Sequence, residues 1–473
     1  MKILLTGVTG YIGQNLLPAL MAQGHMVICC VRDVNRFDTA KYPGGGIEVI
    51  EVNFLKPSTL SAIPKDIEFA YYLIHSMSAA DEDFEQLEKE SAMNFKEYIE
   101  KTKVRQVIYL SGIVNENNLS KHLQSRKGVE DILAQSSFVL TTLRAGIIVG
   151  SGSASFEIIR DLVEKLPIMI APRWLKTKSQ PIAIRNVVQF LTGVLNNSYT
   201  FKKSFDIGGP EILTYKDLLL IYARVRGLKR LIITVPVMTP KLSSYWLYFV
   251  TSTSYTLATH LVKSMRVEVI CRDNDLAEKL NILPLTYEKS IQLAFSKIAT
   301  DSVGASWTDA LSSHALDEGI SKLMEVPTFG CYKDERVNPV KNPEETLHRI
   351  WSIGGQNGWY YADWLWHIRG MLDKMAGGVG LRRGRKNATQ LHAGEALDFW
   401  RVIDANREEK RLLLYAEMKL PGEAWLEFKI TDNQLIQTAT FRPLGLWGRM
   451  YWYAVLPFHG FIFKNMGKKL AEG

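Results

Sequence analysis

The stretch Ile3-Leu4-Leu5-Thr6-Gly7-Val8-Thr9-Gly10-Tyr11-Ile12-Gly13 restricts the fold more than any other part of the chain. Ile3, Leu4 and Leu5 form a short apolar run suited to a strand buried on both faces, and Tyr11 to Leu17 opens an amphipathic helix. Between them Gly7 allows a tight turn. Gly10 removes a Cβ where a pyrophosphate would approach the backbone, and Gly13 lets the helix lie close to the strand. The unpaired N–H groups of the helix then face an anion. The spacing G-x-x-G-x-x-G is one residue longer in its first gap than the usual dinucleotide fingerprint, but its setting between strand and helix marks a nucleotide site. Gly7, Thr9, Gly10, Tyr11, Ile12 and Gly13 are its expected contacts.

Strand and helix patterns alternate up to about residue 145, as in a doubly wound parallel sheet of the α/β class. Thr6 to Gly13 resembles the TGxTGxxG fingerprint of extended and atypical short-chain dehydrogenase/reductases, including NmrA-like proteins. The chain as a whole is similar to the YbjT-type bacterial oxidoreductases. That resemblance implies an N-terminal NAD(P)-binding Rossmann fold with a substrate lobe over residues 1–300, followed by a second domain over 301–473. It supplies no substrate.

The second strand, Met26 to Val31, ends at Arg32-Asp33, where a dinucleotide fold reads the adenosine ribose. Arg32 suits a 2′-phosphate, with Arg36 as a helper, so NADP is expected and NAD is the alternative; Arg32 as a solvated strand end is the bland reading. Asn53 follows the third strand, Ile47 to Val52, where the resembling family carries an acid against the adenine edge. His75 follows the fourth strand, Ile67 to Ile74, at the end of the sheet where ligands bind, and is read equally as a cleft residue or a structural histidine.

Ser111 ends the fifth strand, Arg105 to Ser111. In the resembling family a serine or threonine here polarises the substrate carbonyl, and a Tyr-x-x-x-Lys pair on the next helix donates the proton and holds the nicotinamide ribose. This chain has His122-Leu123-Gln124-Ser125-Arg126 instead, which keeps both polar groups on one helical face. Arg126 suits ribose hydroxyls but stays protonated, so it cannot join a proton relay, and its charge favours a neutral His122. Ser111, His122 and Arg126 are thus the catalytic candidates of a degenerate site. Ser151 to Phe156 reads as a mobile polar lid, and Gln180 to Val187 and Phe205 to Pro210 as parts of the substrate lobe.

Bulk properties narrow the alternatives. At 473 residues the chain exceeds one core. The net charge of +8 is scattered, without basic stripes interleaved with aromatics, so nucleic acid is not an expected partner. Four cysteines fit a reducing compartment, with Cys29 and Cys30 expected on opposite faces of a buried strand; no metal-ligand spacing surrounds Cys271 or Cys331. The glycine loop begins too early to leave room for a signal peptide, so a cytoplasmic location is expected. Lys241 to Ser264 is aromatic and nearly uncharged, suited to a buried or interfacial helix, with a membrane span as the alternative.

Composition changes after a linker region at about residues 299–327. Trp351, Trp359, Trp364, Trp366, Trp400, Trp425, Trp447 and Trp452 fall in the second part of the chain. Leu412–Met418, Trp425–Ile430 and Leu435–Phe441 read as hairpin strands around turns at Pro421-Gly422 and Asp432-Asn433, followed by a terminal helix from about Gly445 to Leu470. An antiparallel sheet against a long C-terminal helix resembles the START-like helix-grip architecture, an α+β domain that would enclose an apolar pocket; a simple aromatic core is the bland alternative. The apolar run from Leu446 to Phe463 suits peripheral membrane contact, although Arg449, Pro457 and His459 argue against a span. The expected activity is NAD(P)-dependent hydride transfer to a small apolar carbonyl or related molecule. A non-catalytic NAD(P)H-sensing regulator, or a lipid or quinone carrier at a membrane surface, are the competing readings. Oligomeric state is not legible.

Overall fold

The computed structural model describes all residues except 35, 36, 38, 40, 41, 43, 44, 75–83, 115–120, 236–264, 266, 300–325, 327–330, 382–384, 386–388 and 473. His75, Arg36 and the aromatic segment from Lys241 to Ser264 therefore lie outside the described residues. The chain divides into two compact units, Met1–Ala310 and Leu311–Gly473.

The first unit is built on strands β1 (Lys2–Leu5), β2 (Met26–Val31), β3 (Ile47–Glu51), β4 (Phe69–Tyr72), β5 (Gln106–Gly112), β6 (Val139–Ala145) and β7 (Lys203–Ile207). They pair in the order β7-β6-β5-β4-β1-β2-β3, every pair parallel. The order reverses between β1 and β4, which opens a crevice at their C-terminal ends. Helices α1 (Tyr11–Ala22), α2 (Phe84–Ile99), α3 (Lys121–Ala134), α4 (Ala154–Lys165) and α5 (Ile184–Gly193) complete the layers used below.

Burial on both faces explains the apolar runs. Leu5, Cys29 and Tyr71 join α1 and α5 in one core cluster, whereas Leu4, Ile28, Cys30, Ala70 and Tyr72 join α2 and α3 in another. Cys29 and Cys30 therefore face opposite layers, and all four cysteines are free thiols. The expected substrate-lobe segments turn out otherwise. Phe205 to Ile207 belong to β7, an edge strand in register with Leu143 to Ala145, and Ile184 to Val187 begin α5. The reason is tertiary: β6 offers a free edge that only a distant segment can cover. The expected lid is also corrected. Ser151 and Ser153 are buried, and Ser153 caps α4 by accepting the Phe156 N–H at 3.2 Å while donating to Ile148 O.

The second unit holds an antiparallel sheet of six strands: β8 (Tyr332–Pro339), β9 (Ala396–Leu397), β10 (Trp400–Asn406), β11 (Arg411–Ala416), β12 (Gly422–Thr431) and β13 (Gln434–Pro443), in the order β8-β13-β12-β11-β10-β9. The three hairpin strands read from sequence are β11 to β13, and Asp432 and Asn433 form the turn of the last hairpin with positive φ. Helices α6 (Pro343–Trp351), α7 (Asp363–Met375) and α8 (Gly445–Glu472) accompany the sheet. Trp351, Trp359, Phe399 and Phe428 are fully buried in the main core. An Arg401–Glu417 pair at 3.0 Å is also fully buried. Among the described residues no helix is long and apolar enough to cross a membrane.

Candidate functional site

The glycine loop lies at the crevice, directly after β1. Gly7 has φ +66°, and a Cβ there would meet Leu73 O at 2.5 Å, so only glycine fits between the loop and the end of β4. The Thr6 hydroxyl ties the same seam. It donates to Tyr71 O at 3.0 Å and accepts the Leu73 N–H at 3.1 Å. Gly10 donates to Gly7 O at 2.9 Å and caps α1 without a side-chain hydrogen bond. The first turn of α1 carries no acid, so its leading N–H groups present an uncompensated positive end.

Gly10 and Gly13 do different work. A Cβ on Gly10 would approach only Gly7 O, at 3.2 Å, which leaves the outer side of the turn open for a phosphate. A Cβ on Gly13 would press into Gly7 O and lie 2.7 Å from Val8 Cα. Gly13 thus seats the helix on the loop backbone instead of on the strand, as the spacing alone suggested. Tyr11 packs near Gly150, and burial, reinforced by the charge of Glu157, pushes its phenol well above the ordinary value. Its ring therefore acts as a neutral wall. Thr9 and Ile12 are half-buried in the same turn.

At the ribose end Arg32 is exposed just past β2, whereas its neighbour Asp33 is buried and engaged. This separates two groups that the sequence left tangled: the guanidinium is the one available to a ligand. Asn53 is partly spoken for. Its side-chain oxygen accepts the Leu55 N–H at 3.0 Å in a local turn, which leaves the amide NH2 as the group free to meet an adenine edge.

Ser111 lies at the end of β5, opposite Arg144 on β6. Its hydroxyl is fully buried and faces the Tyr109 phenol two residues earlier on the same strand. Helix α3 crosses this strand end so closely that a Cβ on Gly112 would lie 2.9 Å from Leu123 and 3.6 Å from Arg126 Cδ. Arg126 is thereby brought beside Gly112. His122 lies one turn earlier on the same helix, and its side chain is outside what is described.

Sequence reasoning missed what holds α3 there. The buried Glu88 of α2 accepts the Ser125 hydroxyl, the Tyr109 hydroxyl donates to Arg126 O at 3.2 Å, and Glu130 pairs with Arg144 at 2.6 Å. Burial raises the Tyr109 phenol far above its ordinary value, so it serves as a fixed donor. The only sequence signal was an acid on the inner face of an otherwise ordinary charged helix. No group of acids, histidines and cysteines suited to a metal occurs among the described residues.

Residues 3–115, which hold the glycine loop, the switch point and Ser111, match the NAD dependent epimerase/dehydratase family. The first unit has a Rossmann fold. Within this Rossmann unit the likeness to solved structures extends beyond the matched segment. A triphenylmethane reductase from Citrobacter sp. superposes with a TM-score of 0.52 at 16% identity, over 63% of this chain and 100% of that one. Its form complexed with NADP(H) gives 0.51 at 16% identity, over 62% and 100%. A nucleoside-diphosphate-sugar epimerase from Staphylococcus aureus gives 0.50 at 15% identity, over 62% and 100%. In sequence the chain is 22% identical over 244 residues to the photosystem II assembly factor Ycf39 of Synechocystis sp., covering 50% of this chain and 71% of that protein. Residues 331–466 match a family described as a protein of unknown function, DUF2867.

Proposed function

We propose that the Rossmann unit is an oxidoreductase of the atypical short-chain class that binds NADPH, with NADH as the weaker alternative, and reduces a small apolar carbonyl or activated double bond. The observation that carries the reading is the uncapped, acid-free start of α1 at the strand-order reversal, with Gly10 open on its outer side. The first-turn amides from Gly10 to Ile12 would take the pyrophosphate, Arg32 a 2′-phosphate, and the Asn53 amide the adenine edge. The complex of a similarly folded reductase with NADP(H) supports that cofactor. A bound nicotinamide would supply the hydride.

The chain's own residues supply the rest of the chemistry. Arg126, fixed beside Gly112, would hold the ribose hydroxyls, and His122 on the same helical face would protonate the developing oxyanion. Ser111 would orient the substrate oxygen. The test is NADPH oxidation by the full chain with a panel of quinones, dyes and aldehydes. His122→Phe should abolish turnover and keep NADPH affinity, whereas Arg126→Ala should weaken NADPH itself. Unchanged turnover in His122→Phe would remove the proton-donor assignment.

The replacement of Tyr-x-x-x-Lys by His122 and Arg126 favours a second reading, a non-catalytic sensor of the NmrA-like kind. A sensor would bind NADPH tightly and turn over none of the panel. The antiparallel sheet and long terminal helix of the second unit, with the cavity between them, support reading it as the part that holds a small molecule.

A further inference from the structure

Helix α7 is built inside out. Trp366, Gly370 and Asp373 face inward, while Trp364, Ile368, Met371 and Met375, spaced four, three and four residues apart, form one stripe in solvent. Trp364 is 62% exposed and Met375 66%. Helix α8 does the same as far as Phe463. Gly448, Trp452 and Phe463 are buried, whereas Trp447 (76% exposed), Met450, Tyr453 and Phe461 point outward. From 445 to 463 this helix contains no acid and one fixed charge, Arg449. Soluble surfaces seldom leave so many large apolar side chains on two neighbouring helices without a partner.

The face has a hole in it. A cavity of about 280 Å³ lies between α7, α8 and the sheet, lined by Trp366, Met418, Phe441 and Trp452 among others. Ile368, Leu372 and Phe458 line it and are themselves exposed, so its mouth opens within the apolar stripe. Inside, the lining is apolar except for a few groups. Trp366 Nε1 and His459 Nδ1 are buried and find no hydrogen-bond partner among the described residues. A buried indole N–H or imidazole nitrogen without a partner costs stability unless something satisfies it.

Charge selects the occupant of the face. Arg369, Lys419 and Arg449 stand at its border: Arg369 on the cavity wall, Lys419 Nζ near Gly377 at the end of α7, and Arg449 in the first turns of α8. None of the three pairs with a carboxylate among the described residues, and the exposed acid of α7, Asp363, accepts the Trp359 N–H. Apolar side chains bordered by unpaired cations match a membrane interface with anionic headgroups. A flat protein partner would leave the cavity empty, whereas a bilayer offers chains to fill it.

We propose that the second unit is a peripheral lipid-surface module. The outward face of α7 and of α8 as far as Phe463 seats on an anionic bilayer, and the cavity opening through that face takes the apolar part of a small amphiphile whose polar group, a hydroxyl or similar, meets the Trp366 N–H and the His459 ring. This assignment stands apart from the hydride chemistry of the first unit.

The experiment is co-sedimentation of the full chain with phosphatidylcholine vesicles, with and without phosphatidylglycerol, beside a Trp447→Glu/Met375→Glu double variant. Both positions are exposed, so folding should be preserved, and NADPH affinity and circular dichroism report whether it is. Wild type should bind anionic vesicles at least tenfold more tightly than neutral ones, and the double variant should lose about tenfold or more. Brominated lipid should quench wild-type tryptophan fluorescence. No vesicle binding by folded wild type would overturn the proposal. So would a variant that binds vesicles normally but changes oligomeric state in light scattering, because the face would then join two copies of the chain.

Discussion

The two sheets of this molecule bury apolar surface in opposite ways. The parallel sheet is covered on both faces by helices, with clusters of similar make-up on each side. The antiparallel sheet packs one face into a large aromatic core, and its other face carries a small cluster of Ile403, Leu413, Tyr415 and Trp425 with Val326 packed against it. The first arrangement leaves its opening where strand order reverses, so backbone atoms make the site. In the second, the opening lies between side chains that do not quite fill the space under α7 and α8. One unit recognises with main-chain donors; the other would recognise with volume.

That contrast can be broken, and the largest test removes volume from the second unit alone. Phe399 is fully buried between Trp359, Trp366 and Trp400, with ring centroids at 5.9–6.4 Å. Phe399→Ala should cost about 4 kcal/mol in the unfolding of that unit. Near-ultraviolet circular dichroism should show the loss while NADPH affinity stays level. A parallel fall in NADPH affinity would mean that the two units are not separate in stability.

The matching change in the first unit alters backbone clearance. Gly13→Val places atoms into Gly7 O and Val8 Cα, which cannot move without shifting the loop. It should cost about 3 kcal/mol and abolish dinucleotide binding in calorimetry. A variant that still binds NADPH would show that the loop does not depend on that contact.

A smaller effect comes from pH. Burial lowers the His459 pKa from its ordinary value to about 4, with Asp334 pulling it up and Arg336 pushing it down. The unfolded imidazole takes a proton near pH 6.5, and the folded one resists until about pH 4. The associated stability is therefore complete above the unfolded pKa and is lost as pH falls toward the folded one. The loss should be on the order of 2 kcal/mol after allowance for partial exposure. Denaturant midpoints of the second unit should fall over this window, and His459→Phe should flatten that dependence.

The smallest effect concerns Arg32. Its exposure makes the phosphate contact a solvated one, so Arg32→Ala should weaken NADPH by about tenfold and leave NADH nearly unchanged. Equal weakening of both cofactors would sink the phosphate grip.

What could be read from sequence follows the same divide. The turn at Gly7 and the open helix start at Gly10 were legible because each depends on local backbone geometry. Gly13 was legible as a close approach but not as to its partner. Glu88, Thr6 and the edge strand β7 were hidden, since each acquires its role only from residues distant in sequence. Ser151 to Ser153 misled because small polar residues suit a lid and a helix cap equally well, and only the Phe156 N–H decides between them. An apolar pocket was expected only from the resemblance of the sheet-and-helix pattern, and its lining was hidden because it is set by what neighbouring side chains fail to occupy.

Cys29 and Cys30 offer a use for one feature of the first sheet. Adjacent in the chain, they face different helical layers, and burial pushes the Cys29 thiol up to about 12 and that of Cys30 higher still. Neither can react until its own layer lifts away. Alkylation rates at these two sites, separated by peptide mapping, would time the detachment of the α1–α5 layer against the α2–α3 layer within a single molecule. A cofactor seated on α1 should slow labelling at Cys29 first, so that two neighbouring atoms of sulfur would report which side of the sheet the dinucleotide holds shut.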